Sequence, residues 1–289
     1  SIFMEKELTA QGPNDRKSYT VTLPIEWIKS EKLNDSKVVN LDVIGTKIII
    51  SSSLDGNKSL SIDTDYYKNS LIKLLQSIYR GGFDEVKLIY SDPKYLERIV
   101  EIIDERLIGY EIVEQKNNFI LIKYITKESS EDFKIVLRRI FLLLLQMLKS
   151  ESFVQAKLID KNIKKLSNYC QRILIKQGHI EFDKVPNYYL LLDRLEKIGD
   201  EIRWTLNFQF NDNLEIPEFE EIKLILRSAY ELFFKFNKVD YDLNSDKVYF
   251  LTRNIRKNIN KMNTYMVHCY NLSRLLNSLY GDILLINLK

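Results

Sequence analysis

The chain has 289 residues, 45% hydrophobic and 29% charged, with 43 Lys and Arg against 40 Asp and Glu. This composition supports a sizeable core over two or three domains and excludes disordered and collagen-like classes. The net charge of +3 is too small to imply a nucleic-acid partner by itself.

The first 60 or so residues alternate between apolar and polar. Tyr19, Val21 and Leu23 oppose Thr20 and Thr22, and Val39, Leu41, Val43, Ile48 and Ile50 repeat the period of two, the pattern of half-buried strands. Pro24 suits the first turn of a short helix containing Glu26, Trp27 and Ile28 and ending near Leu33 to Asp35. The order strand, strand, helix, strand, strand supplies too few strands to close a core alone, so dimerisation is expected.

From residue 59 the pattern changes. Leu71, Leu74, Leu75 and Ile78 have helical spacing, Val86, Leu88 and Tyr90 read as a strand, and Leu96, Ile99, Val100, Ile103 and Leu107 give a second helix. A hairpin follows from Tyr110 to Ile125, turning at Lys116 to Asn118. Gly81 and Gly82 read as a helix stop. Residues 59–127 are therefore expected to form a small α/β domain.

From residue 128 every segment has helical periodicity. A helix opening at Ser129 and Ser130 buries Leu137, Ile140, Phe141, Leu144, Leu145 and Leu148; others are expected at about 152–177, 186–209, 217–237, 245–262 and 264–286. The breaks are placed at Gly178, Pro186, Pro217 and the stretch from Asp240 to Ser245. Short connections place consecutive helices side by side, giving two three-helix bundles at about 128–212 and 213–289.

Catalytic templates are scarce. No glycine pair has the spacing of a dinucleotide fingerprint or P-loop, no GxSxG occurs, and His179 and His268 are the two histidines. No enzyme is expected; a weak alternative is chemistry on Glu196 and Asp200. Cys170 and Cys269 supply neither a disulfide framework nor a cysteine zinc site, so a reducing cytoplasm is expected. In the most apolar segment, Arg138 to Lys149, the longest apolar run is the six residues Ile140 to Leu145, against roughly 20 for a bilayer span. Membrane insertion is not expected, nor a secretory leader, since Glu5 and Glu7 precede any apolar run.

Two stretches carry a family likeness. Lys17-Ser18-Tyr19-Thr20-Val21-Thr22-Leu23-Pro24-Ile25-Glu26-Trp27 and the strands through Ile50 resemble the AbrB-type swapped-hairpin domain. Where that family usually has Gly-Asp after the helix, this chain has Asn34-Asp35-Ser36. Asp193-Arg194-Leu195-Glu196-Lys197-Ile198-Gly199-Asp200 resembles the signature of PhoU-type phosphate-uptake regulators. Leu107 to Glu114 and Leu137-Arg138-Arg139-Ile140 add to it, and the combination resembles the archaeal PhoU-like regulators over nearly the whole chain.

The resemblance implies a dimeric swapped-hairpin β-barrel over 1–58 that binds DNA, a small α/β domain over 59–127 and a PhoU-like six-helix region over 128–289. The function implied is a cytoplasmic, non-enzymatic, homodimeric transcriptional regulator; the link to phosphate uptake comes from the resemblance alone. The expected DNA-binding residues are Lys6, Arg16, Lys17, Ser18 and Thr20. Residues 1–60 nonetheless hold eight Lys and Arg against eight Asp and Glu, whereas phosphate neutralisation favours a basic excess. The alternative is a protein-interaction adaptor whose first domain only dimerises and whose bundles dock a partner. Arg253, Arg256, Lys257 and Lys261 form a second basic cluster, on a helix face.

No cofactor is expected, with a divalent or ferric cation at Asp160, Glu196 and Asp200 as the alternative. Glu196 and Asp200 are four apart and share a helix face, and the resemblance implies an acidic pair on a partner helix. That counterpart begins with Asp160, but Lys164 stands in its second place; the matching positions of the second bundle are Ser245 and Tyr249, and Ser273 and Asn277. Lys164 is expected instead to bridge to Glu196 or Asp200, with Arg194 and Lys197 as further balancing charges. His268 and Cys269 point about 100° apart on a helix and do not suit one metal.

Overall fold

The computed structural model describes residues 5–13, 16–44, 47–52, 58–126, 130–177, 184–212, 217–257 and 264–288. The chain divides into two compact units, Ser1–Gly56 and Asn57–Lys289.

In the first unit, β1 (Thr9–Gln11) pairs antiparallel with β2 (Ser18–Thr20), and β3 (Asn40–Ile44) with β4 (Lys47–Ser51). Between the hairpins lie α1 (Ile25–Ser30) and the single turn α2 (Leu33–Ser36). β2 is shorter than the alternation predicts: the strand stops at Thr20, and Pro24 caps α1. The turn without glycine closes through Lys32 and Lys37, both left-handed at φ 54° and 52°. Within one chain the strands form two separate two-stranded sheets. Val43 lies directly opposite Ile48, and Leu41 opposite Ile50. Leu41, Val43 and Ile48 are exposed, as are Tyr19 and Val38, whereas Leu33 is buried.

The second unit opens with β5 (Lys58–Asp63), which the sequence reading misses because Leu60 and Ile62 are its apolar residues and it runs along a sheet edge. A short 3-10 segment leads into α3 (Leu71–Arg80), then β6 (Phe83–Ile89), α4 (Lys94–Arg106), β7 (Tyr110–Lys116) and β8 (Phe119–Tyr124). The strand order is β5-β6-β8-β7; β5 and β6 are parallel and the other pairs antiparallel. Val86, Leu88, Ile120 and Ile122 face Leu75, Ile78 and Tyr79 of α3 and Ile99, Ile102 and Ile103 of α4 in one core. Both helices therefore cover the same sheet face. The other face is polar, with Lys87 over the Phe119 ring and Lys123 paired to Glu85.

Among the described residues six helices follow: α5 (Ser130–Met147), α6 (Phe153–Gln177), α7 (Val185–Asp212), α8 (Pro217–Phe234), α9 (Lys238–Lys257) and α10 (Thr264–Asn287). The expected break from Asp240 to Ser245 is helical. The chain turns instead at Lys235 to Asn237, where the Asn237 side-chain oxygen accepts hydrogen bonds from the amides of Val239 and Asp240, an N-cap that overrides the run of weak helix formers. Their buried side chains join in a single apolar cluster. Among the described residues no helix is long and apolar enough to cross a membrane.

Candidate functional site

The five expected DNA-binding residues are all exposed. Lys6 precedes β1, Arg16 and Lys17 stand where the chain enters β2, and Ser18 and Thr20 lie opposite Gln11 and Thr9. Positions two apart share a face, so Thr9, Gln11, Ser18 and Thr20 form one polar face with Tyr19 on the other. Gly12, at φ +99°, turns the chain so that a Cβ there would lie 2.8 Å from the Arg16 carbonyl oxygen; a larger residue would push away the strand that carries Arg16 and Lys17. The Ser18 hydroxyl donates to the Gln11 carbonyl at 3.4 Å and that of Thr20 to the Thr9 carbonyl at 3.3 Å. Each oxygen keeps the capacity to accept a further hydrogen bond.

Of the three expected metal residues, Asp160 and Asp200 come together where α6 packs against α7, with two cations between them. Lys164 Nζ lies 2.7 Å from Asp160 Oδ2 and 2.6 Å from Asp200 Oδ1. Arg203 adds Nε at 3.1 Å from Asp160 Oδ2 and Nη2 at 3.5 Å from Asp200 Oδ1. The arrangement is a four-member ion cluster in which each carboxylate spends one oxygen on cations. Burial pushes the Asp160 carboxyl up, against the pull of Lys164.

Glu196, half-buried one turn away, makes no hydrogen bond or ion pair among the described residues. Its carboxyl is raised by burial, with Arg80 of α3 opposing. Arg194 and Lys197 do not balance this cluster: Arg194 Nε lies 2.5 Å from Asp282 Oδ2 on α10, and Lys197 pairs with Asp193. Among the described residues no group of three or more His, Cys, Asp or Glu is placed to hold a metal ion.

Two features escaped the sequence. Arg172 of α6 is fully buried and reaches into the α/β domain, where Nη1 donates to the carbonyls of Tyr79 at 3.0 Å and Phe83 at 2.9 Å, and Nη2 lies 2.5 Å from Asp84 Oδ1. The rings of Tyr79, Tyr110 and Tyr124 surround its guanidinium. Its partners lie about ninety residues upstream, so no local spacing announces them. The second is the set of contacts made by His268, which stacks on Trp204 and Phe208 while Nδ1 donates to Glu201 Oε2 at 2.7 Å. His268 thereby joins α10 to α7, and the neighbouring Cys269 is buried. His179 and Lys261 lie outside the described residues.

Comparison with family models, curated proteins and solved structures finds no match to this chain.

Proposed function

We propose that the chain is a non-enzymatic, homodimeric, DNA-binding transcriptional regulator of the archaeal PhoU-like type, working in the cytoplasm. The observation that carries this reading is the first unit's uncovered apolar surface beside an exposed polar hairpin. Leu41, Val43 and Ile48 share one face of the second hairpin with no core beneath them, and a second copy that interleaves its hairpins covers that face as a swapped-hairpin barrel does. Two-fold pairing duplicates Lys6, Arg16, Lys17, Ser18 and Thr20, which suits a palindromic site. The helical region then senses a state or partner, and phosphate uptake is the process that the resemblance suggests.

A second reading, a protein-interaction adaptor, is favoured by one observation: the Ser18 and Thr20 hydroxyls already donate within their own hairpin, in a unit with balanced charge. Selection of genomic DNA fragments by the full chain across a salt series separates the two. The regulator selects particular fragments, binds them more weakly as salt rises, and loses binding but not its dimer on Arg16→Glu with Lys17→Glu. Absence of DNA binding at low salt overturns it in favour of the adaptor.

A further inference from the structure

The solvent side of α9 carries Val239, Leu243, Asp246, Phe250, Arg253 and Lys257 at alternating intervals of four and three. That spacing keeps a single seam on one side of a helix. Its inner side is spent elsewhere, since Val248, Leu251 and Ile255 are buried in the helical core. On the seam, Val239 is 68%, Leu243 57% and Phe250 55% exposed, and Tyr249 beside it 54%. Large apolar side chains aligned along an outer helix are a docking surface rather than scattered exposure.

The charges specify the occupant. Asp240, Asp242 and Asp246 lie in the first half of α9, with Lys238 at its start and Lys247 at its middle, and Arg253, Arg256 and Lys257 lie in the second half. Elsewhere in the helical region surface charges pair along their own helix, as Lys197 does with Asp193 and Arg227 with Glu231. Asp242, Asp246, Arg253 and Lys257 make no ion pair among the described residues.

A helix side with Asp242 and Asp246 toward one end and Arg253 and Lys257 toward the other is complementary to itself when reversed. We propose that α9 is a self-association surface at which two copies of this chain pair antiparallel about a two-fold axis between Tyr249 and Phe250. Such an axis sets Asp246 opposite Arg253 of the partner subunit and Asp242 opposite Lys257 of the partner subunit. Two-fold symmetry repeats both pairs. The Phe250 rings meet at the centre, while each Leu243 lies along the aliphatic stem of Arg256 of the partner subunit. Parallel pairing would set each aspartate beside its own copy, so like charges exclude it. This contact is separate from the first unit's apolar hairpin face, so the chain has two surfaces for its own kind.

The test uses the full chain with Tyr249→Cys, which places a thiol beside the axis; Cys170 and Cys269 are fully buried and do not compete. Mild oxidation is expected to give a disulfide-linked pair of chains. Asp246→Arg alone or Arg253→Asp alone turns two attractive pairs into two repulsive ones and is expected to weaken linkage roughly tenfold. The two together exchange the partners and restore it, with circular dichroism checking the fold of each variant. No linkage, linkage indifferent to the single reversals, or failure of the double reversal to recover it overturns the α9 pairing. Dimerisation through the first unit has its own readout in the DNA experiment and does not decide this one.

Discussion

The guanidinium carbon of Arg172 lies 3.9 Å from the centroid of the Tyr124 ring, across the junction between the helical region and the sheet. A fully buried guanidinium is tolerated only when its charge and donors are matched. Here Asp84 supplies the charge, two carbonyls accept, and the tyrosine faces supply negative potential. Lys176 also reaches Asp84, at 2.7 Å, and Lys165 donates to the Asp104 carbonyl. Helix α6 is thus held to the α/β domain by cations reaching from one side, which couples any tilt of that helix to the sheet.

Replacement of Arg172 tests this. Arg172→Ala leaves Asp84 partly buried with Lys176 as its remaining cation and is expected to cost about 3–5 kcal/mol. Arg172→Lys keeps the charge but loses the fork and the stacking, and is expected to fall between that variant and the native chain. Urea titrations followed by far-ultraviolet circular dichroism measure the loss; a cost under about 1 kcal/mol for Arg172→Ala would mean that the junction does not depend on this residue.

Gly109 stands at the entry to β7 with φ +82°, and a Cβ there would lie 2.5 Å from Thr126 Oγ1 and 2.8 Å from a Tyr124 ring carbon. Gly109→Ala combines left-handed strain with a collision against the ring that lies over Arg172. The expected loss is about 2 kcal/mol or more, read from the shift in urea midpoint. If shortening Thr126 to Ala in the same chain recovers none of it, the collision with that side chain contributes nothing.

Element identity was legible in the sequence where periodicity is strong: the bundle helices and the hairpin from Tyr110 onward follow apolar spacing, which burial dictates directly. The missed strand β5 carries its information in pairing with β6, not in its own pattern, and the break expected from Asp240 to Ser245 yielded to a cap at Asn237. At the acidic cluster the spacing of four puts Glu196 and Asp200 on one helix face, whereas Asp160 and Lys164 on α6 enter through the family resemblance and not through spacing. Arg203, one turn on from Asp200, has no such signal, because nothing in the spacing says that its side chain turns toward α6.

Lys164 bridges Asp160 and Asp200, so Lys164→Asp should turn the ion cluster into a carboxylate group able to take a hard cation. Asp160, the new carboxylate and Asp200 would then lie together with Arg203 as the nearby cation. Without metal the variant is expected to lose about 3 kcal/mol from uncompensated like charge. Added Mn2+ is expected to restore thermal stability in a concentration-dependent way while leaving the native chain's melting temperature unchanged. Equal stabilisation of both chains would show that Lys164 does not block a metal.

Two glutamates give stability terms of opposite sign in pH. Lys161 holds the Glu105 carboxyl below its ordinary value of 4.5, so its contribution is present above that value and is lost as pH falls through the lowered one. Burial raises the Glu196 carboxyl above the same value. The folded chain then binds more protons than the unfolded chain, and the Glu196 contribution is complete below pH 4.5 and disappears as pH rises through the raised value. Glu196→Gln removes this term and leaves the Glu105 term in place. The variant's stability relative to the native chain is therefore expected to rise as pH increases from 4.5 and to level off above the raised value. Urea midpoints of both chains across that range measure the difference; a constant offset would mean that Glu196 ionises in the folded chain as it does in the unfolded one.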